Sequence, residues 1–211
     1  MANEMKRAVI ISGAPYNDFY FIKENIYPDD FVICADRGVQ TAKTAGVRVD
    51  MALGDFDTVE APSDACCELI KLPSEKDVTD TYYACEKAVE LGFKNVVIFC
   101  ALGGRADHTF ANYLCLNFLC DAGVNAKILD RKNCIMIVKD NLSIKRSGYK
   151  YLSVFPFISD VKSLTLSGVK YPLDKHDLPA SSPLGVSNEI ISPFADITFE
   201  DGKLLIILSN D

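Results

Sequence analysis

The chain has 211 residues, with 22 lysines and arginines against 29 aspartates and glutamates, 49% hydrophobic residues, eight cysteines, two histidines and no tryptophan. A net charge of −7 speaks against nucleic-acid binding, which depends on cations that neutralise phosphates. Two histidines with no HExxH run exclude a His-rich zinc site, and the hydrophobic fraction excludes disordered and collagen-like chains.

The segment MANEMKRAVIISGAP holds only a short apolar run before Ser12, too short for a signal-peptide core or a membrane span. The expectation is a cytoplasmic protein with no membrane partner. Six cysteines sit in apolar runs or helical stripes and no CxxC pair occurs, so they read as small hydrophobes rather than disulfide partners.

Short apolar runs at 7–12, 31–35, 51–53 and 95–100 read as strands, and they alternate with helical patterns. Residues 37–45 place Val39, Ala42 and Ala45 on one face before Gly46. Residues 79–91 align Tyr82, Cys85, Ala88 or Val89, and Leu91 before Gly92. Residues 107–122 align Phe110, Tyr113, Leu114, Asn117 and Phe118 before Gly123. Such alternation predicts an α/β domain over 1–125, a parallel sheet with helices on both faces. From 126 to 211 the texture becomes strand-like runs at 127–138, 142–145, 149–157, 162–166, 196–199 and 203–208, split by turn residues. This part is expected to be a smaller all-β sandwich or barrel, with Asp201-Gly202 as a two-residue hairpin turn.

The acidic residues of the first half fall where strands end or helices begin: Asp36 after VICA, Asp55 and Asp57 in GDFD, Asp77 and Asp80 in KDVTD, and Asp107 in GGRADH. In an open parallel sheet those positions share the edge where ligands bind. Carboxylates gathered there repel one another unless a cation is present, and Mg²⁺ takes such oxygen donors with phosphates and water completing its shell. Each aspartate taken alone also reads as a helix cap or turn residue. Gly103 and Gly104 open a helix and let backbone N–H groups approach a phosphate. Arg105 adds a planar fork for phosphate oxygens, and Lys76 offers a second cation. Ser12-Gly13 forms another close-approach loop or a plain turn. His108 reads as a helix-start residue or a base. No GxxxxGK[ST] run occurs, which disfavours a Walker-type site.

In order, ADRGVQ (35–40), LGDFDTV (53–59), PSEKDVTDTYYA (73–84) and GGRADH (103–108), followed by LSGVKYPL (166–173) and GVSNE (185–189), resemble the signature blocks of the thiamine pyrophosphokinase family. The resemblance implies transfer of the terminal diphosphate of ATP to the hydroxyl of thiamine with release of AMP. It further implies Mg²⁺, a catalytic α/β domain joined to a thiamine-binding β-sandwich, and a homodimer with sites shared between subunits. It places the metal on Asp55, Asp57 and Asp80, supported by Asp36. Ser12, Gly13, Lys76, Thr79, Gly103, Gly104, Arg105 and His108 would face nucleotide, and Ser187 and Asn188, with Asp107, the thiamine. Asp80 or Asp107 would take the hydroxyl proton. Two departures stand out: Arg37 follows Asp36 where the family usually has glycine, and the chain has no tryptophan to stack on the substrate. GDFD also fits metal-dependent nucleotidyl- or glycosyltransferases, and a non-catalytic thiamine or nucleotide sensor is a further reading.

Overall fold

The β-branched runs at the start of the chain form the strands their pattern predicts, and two further elements accompany them. The structure is a computed structural model describing residues 7–15, 18–56, 68–73, 75 and 77–211. In order come β1 (Arg7–Ile11), α1 (Phe19–Glu24), β2 (Phe31–Ala35), α2 (Gly38–Ala45), β3 (Met51–Gly54), β4 (Glu68–Lys71), α3 (Asp80–Glu90), β5 (Asn95–Phe99), α4 (Ala106–Asp121) and β6 (Asn125–Leu129). The additions are α1, six residues long and capped by Asp18, and β4, a mostly exposed strand at the sheet edge. Neither has the apolar periodicity that marks the other elements.

These six strands are parallel and ordered β4-β3-β2-β1-β5-β6. Ile10 is in register with Ile33 on one side and Ile98 on the other, and all three are fully buried. Each such side chain contributes about 1.5–3 kcal/mol of burial free energy. From β1 the chain steps outward through α1 and α2, whereas after β4 it returns through α3 and α4 in the opposite direction. Right-handed crossovers therefore put α1 and α2 on one face and α3 and α4 on the other. The contacts agree, α1 packing with α2 and α3 with α4.

Val39, Ala42 and Ala45 face the core as their spacing predicts. The stripe predicted on α4 does not: Asn112, Cys115, Leu116, Leu119 and Cys120 are buried, while Phe110 and Leu114 are exposed. In α3 the inward face is Thr81, Ala84, Cys85 and Ala88, and Leu91 is exposed. α4 carries apolar residues on most sides, so periodicity alone does not choose its face. At the opposite edge of the sheet, where the strands begin, buried Asp30 receives Arg7 Nε at 2.9 Å and the Tyr27 N–H at 2.7 Å.

The chain divides into two compact units, 1–131 and 132–211. The run expected as one strand over 127–138 breaks at 130–132. Its first part, β6, pairs in parallel with β5 and so belongs to the first unit, which carries that unit past residue 125. The second unit contains β7 (Asn133–Val138), β8 (Leu142–Lys145), β9 (Tyr151–Pro156), β10 (Val161–Ser167), β11 (Leu173–Leu178), β12 (Phe194–Thr198) and β13 (Leu204–Ser209). All its pairings are antiparallel, β13 lying between β7 and β9, and the other strands ordered β11-β10-β12-β8. β11, with the polar sequence LDKHDL, is held by its ladder to β10 and carries no strand pattern of its own.

The expected hairpin at Asp201-Gly202 is corrected by this topology. β12 pairs with β10 and β8, whereas β13 pairs with β7 and β9, so the chain changes partners at the turn. Ala195 and Ile197 alternate with exposed residues, while β13 is buried along most of its length, and the two strands suit different sheet positions. Gly202 is needed for close approach: a Cβ there would lie 2.5 Å from the Asp160 carbonyl, and its φ is +102°. Among the described residues no helix is long and apolar enough to cross a membrane.

Candidate active site

β1 and β5 are neighbours whose outgoing connections cross opposite faces, and that reversal opens a crevice beyond their carboxyl ends. The loops there continue the ladder: the Ser12 N–H donates to the Phe99 carbonyl and the Ala14 N–H to the Cys100 carbonyl, both at 2.9 Å. α2 starts hard against the end of β1, because a Cβ on Gly38 would meet the Ile11 carbonyl oxygen at 1.9 Å. Beside it, a Cβ on Gly13 would lie 3.9 Å from Asp36 Oδ2. The glycines thus bring the loop after β1 up to the loop after β2.

Asp36 turns the chain from β2 into α2 with a left-handed φ of +47°, and its N–H donates to the Leu53 carbonyl at 2.8 Å. Gly54 admits it closely, since a Cβ there would come within 3.2 Å of the Asp36 Cα. Oδ1 of Asp36 is buried with no hydrogen-bond partner among the described residues. Burial pushes its carboxyl pKa up, the Arg37 N–H opposes that, and the charges of Asp80 and Asp55 add to the rise. Asp55 follows β3 and Asp80 opens α3, both half-buried. The charges of Asp55 and Asp80 are thus both felt at Asp36, and Asp77 is exposed. Asp57 and Lys76 lie outside the described residues. Among the described residues no three His, Cys, Asp or Glu side chains form a ready metal cage. An oxygen-only donor set with an orphaned buried carboxylate oxygen still suits a hard divalent cation that takes its remaining ligands from phosphate and water.

The turn into α4 carries Gly103 and Gly104, both left-handed at φ +88° and +68°. A Cβ on Gly104 would touch Pro15 at 3.1 Å. Asn112 Nδ2 reaches back from α4 to the Ala101 carbonyl at 2.8 Å and pins the loop. Arg105 is the N-cap residue of α4, and its own side chain makes no capping bond. Its fork is occupied: Nε and Nη2 donate to the two carboxylate oxygens of Asp107 at 3.1 and 2.6 Å. That pairing holds Asp107 down to about 2, helped by the His108 N–H. While the pair is kept, the arginine stabilises the anion of Asp107 and makes it a weak proton acceptor. His108 is exposed and its N–H serves the helix start.

Thr79, expected at the nucleotide, N-caps α3 by accepting the Tyr82 N–H at 3.2 Å. Ser12 is buried, and its hydroxyl meets Thr81 Oγ1 at 2.5 Å. In the second unit Ser187 is exposed with a left-handed φ of +56°. The side chain of Asn188 is consumed internally: Oδ1 accepts the Tyr171 and Glu189 N–H groups and Nδ2 donates to the Tyr171 carbonyl at 2.7 Å. Asn188 therefore shapes the segment that presents Ser187. Thr81 and Asn112 escaped the motif reading; the only signal was a polar residue on an otherwise inward helix face.

Residues 22–128 match the family described as "Thiamin pyrophosphokinase, catalytic domain", and residues 140–204 match "Thiamin pyrophosphokinase, vitamin B1 binding domain". The chain is 32% identical to the thiamine pyrophosphokinase of Bacillus subtilis, over 98% of this chain and all of that one. The crystal structure of a B. subtilis thiamine pyrophosphokinase superimposes with a TM-score of 0.90 at 30% identity, covering 98% and 100% of the two chains. The thiamin pyrophosphokinase of Geobacillus thermodenitrificans gives 0.85 at 31% identity, covering 97% and 98%.

Proposed function

Because the chain belongs to the thiamin pyrophosphokinase family of ATP:thiamine diphosphotransferases, we propose that the acidic crevice beyond β1, β2 and β5 is where it transfers diphosphate. The observation that carries this reading is Asp36, a half-buried carboxylate whose buried Oδ1 has no partner among the described residues, beside the charges of Asp55 and Asp80. Asp55, Asp57 and Asp80 would hold Mg²⁺, with Asp36 completing the acidic centre. When bound, Mg²⁺ supplies charge neutralisation on the phosphate oxygens of ATP.

The chain's own residues do the rest by positioning and electrostatics. The left-handed Gly103-Gly104 turn and the start of α4 beyond it offer N–H groups to phosphate oxygens. Arg105, solvent-exposed and paired only to an exposed carboxylate, can exchange Asp107 for phosphate at little cost. The hydroxyl oxygen of thiamine bonds to the β-phosphorus, and the β-phosphorus parts from the oxygen bridging it to the α-phosphorus. That oxygen leaves with AMP, and the hydroxyl proton passes to a carboxylate of the site, Asp80 or Asp107. A cationic thiazolium is favoured next to a group of carboxylates.

Ser187, held in a left-handed conformation by the bonds of Asn188 and by its own N–H to Ser153 Oγ at 3.0 Å, would meet thiamine in a homodimer with shared sites. The six described cysteines are free thiols, which suits a reducing, cytoplasmic setting. Incubation with ATP, Mg²⁺ and thiamine tests the reading. AMP and thiamine diphosphate are the expected products, lost on chelation of the metal. Pyrophosphate release would instead indicate nucleotidyl transfer, and tight binding without AMP would indicate a sensor.

A further inference from the structure

Asp80 sits between two hydroxyl residues with separate jobs. Thr79 caps α3 from within the helix, which fixes the backbone of Asp80 but does nothing to hold the helix on the sheet. Thr81 points inward, is 6% exposed, and meets the hydroxyl of Ser12, 4% exposed, at 2.5 Å. Ser12 is itself anchored, since its N–H bonds the Phe99 carbonyl at the end of β5. The rest of the inward face of α3 is Ala84, Cys85 and Ala88, small side chains that let the helix lie close, and Tyr82 meets the ring of Phe118 on α4 at 4.9 Å.

Asp80 also faces like charge, for it and Asp55 both act on Asp36. Mutual repulsion pushes the start of α3 away from the sheet edge, and the buried hydroxyl pair opposes that motion. We infer that Ser12 and Thr81 form a positioning clamp that holds Asp80 in range of the other carboxylates, so that Thr81 sets the affinity for the divalent cation without touching it. The inference rests on the metal reading above, and it turns Ser12 from a nucleotide contact into a support. Partners that orient a ligand residue commonly change metal affinity by 10–100-fold when removed.

The test is Mn²⁺ binding, read by the loss of free-ion EPR signal with α,β-methylene ATP present, at a temperature where every variant is folded. Thr81→Val keeps the shape and removes the hydroxyl. Thr81→Ala, a better helix former, covers the case in which valine prevents folding. Both are expected to weaken Mn²⁺ binding about tenfold, while Thr81→Ser, which keeps the hydroxyl, stays within about twofold of wild type. A Thr81→Val or Thr81→Ala protein that melts earlier yet binds Mn²⁺ like wild type overturns the clamp alone. Wild-type protein that binds no Mn²⁺ overturns the metal reading and the clamp with it.

Discussion

Replacing Asp36 by asparagine should make the metal-free protein more stable and the enzyme nearly inactive. The carboxylate is half-buried, one oxygen has no partner, and Asp80 and Asp55 repel its charge. A buried polar atom left unsatisfied costs about 1–3 kcal/mol. Asparagine keeps an oxygen there but removes the charge, so a gain of about 1 kcal/mol is expected, or about 2–4 °C in Tm for a chain of this size. The sign with pH follows from linkage. Asp36 is raised above its ordinary value of 3.8 in the fold, so the folded protein binds more protons than the unfolded chain in the window just above that value. Wild-type stability therefore falls as pH rises through the window and stays lower above it. The variant should be the more stable protein at pH 7–8, and the two should converge below about pH 4. Turnover should fall roughly 10²–10³-fold, and Mg²⁺ with ATP should raise the wild-type Tm more than that of the variant. Calorimetry at pH 4 and pH 7.5, with AMP formation measured in parallel, checks each part. An Asp36→Asn protein that melts below wild type at pH 7.5, or that turns over at the wild-type rate, refutes the reasoning.

Asp107→Asn should leave the acidic limb of the pH–rate profile in place where Arg105 stays paired with it, because a carboxyl held at about 2 does not titrate in the working range; a missing limb would mean that Arg105 has left for phosphate and freed Asp107 as the base. Asp30→Ala breaks a buried ion pair at the edge of the sheet remote from the crevice, and should cost about 3 kcal/mol with kcat/KM of the folded protein unchanged. Urea unfolding and steady-state kinetics together check that separation.

The chemistry of the site was legible before the fold. The strand runs at 7–12, 31–35 and 95–100, with acids just beyond strand ends, already place Asp36, Asp55 and Asp80 on one edge, because all parallel strands end on the same side. Capping was legible in type but not in position: Thr79, rather than Asp77 or Asp80, caps α3, since serine, threonine and aspartate compete for that role on similar terms.

Local pattern determined which residues could be strand, helix or acid at a ligand edge, and the family blocks carry the reaction. Only the tertiary structure decided which face of α4 turns inward, that β12 and β13 part at Gly202, that Asn188 spends its amide on Tyr171 and Glu189, and that Ser12 meets Thr81 across 69 residues of chain. Each of those outcomes depends on a partner distant in sequence. Periodicity and propensity report how a residue suits its neighbours along the chain, whereas burial, hydroxyl pairing and carboxylate repulsion are set by what folding brings alongside.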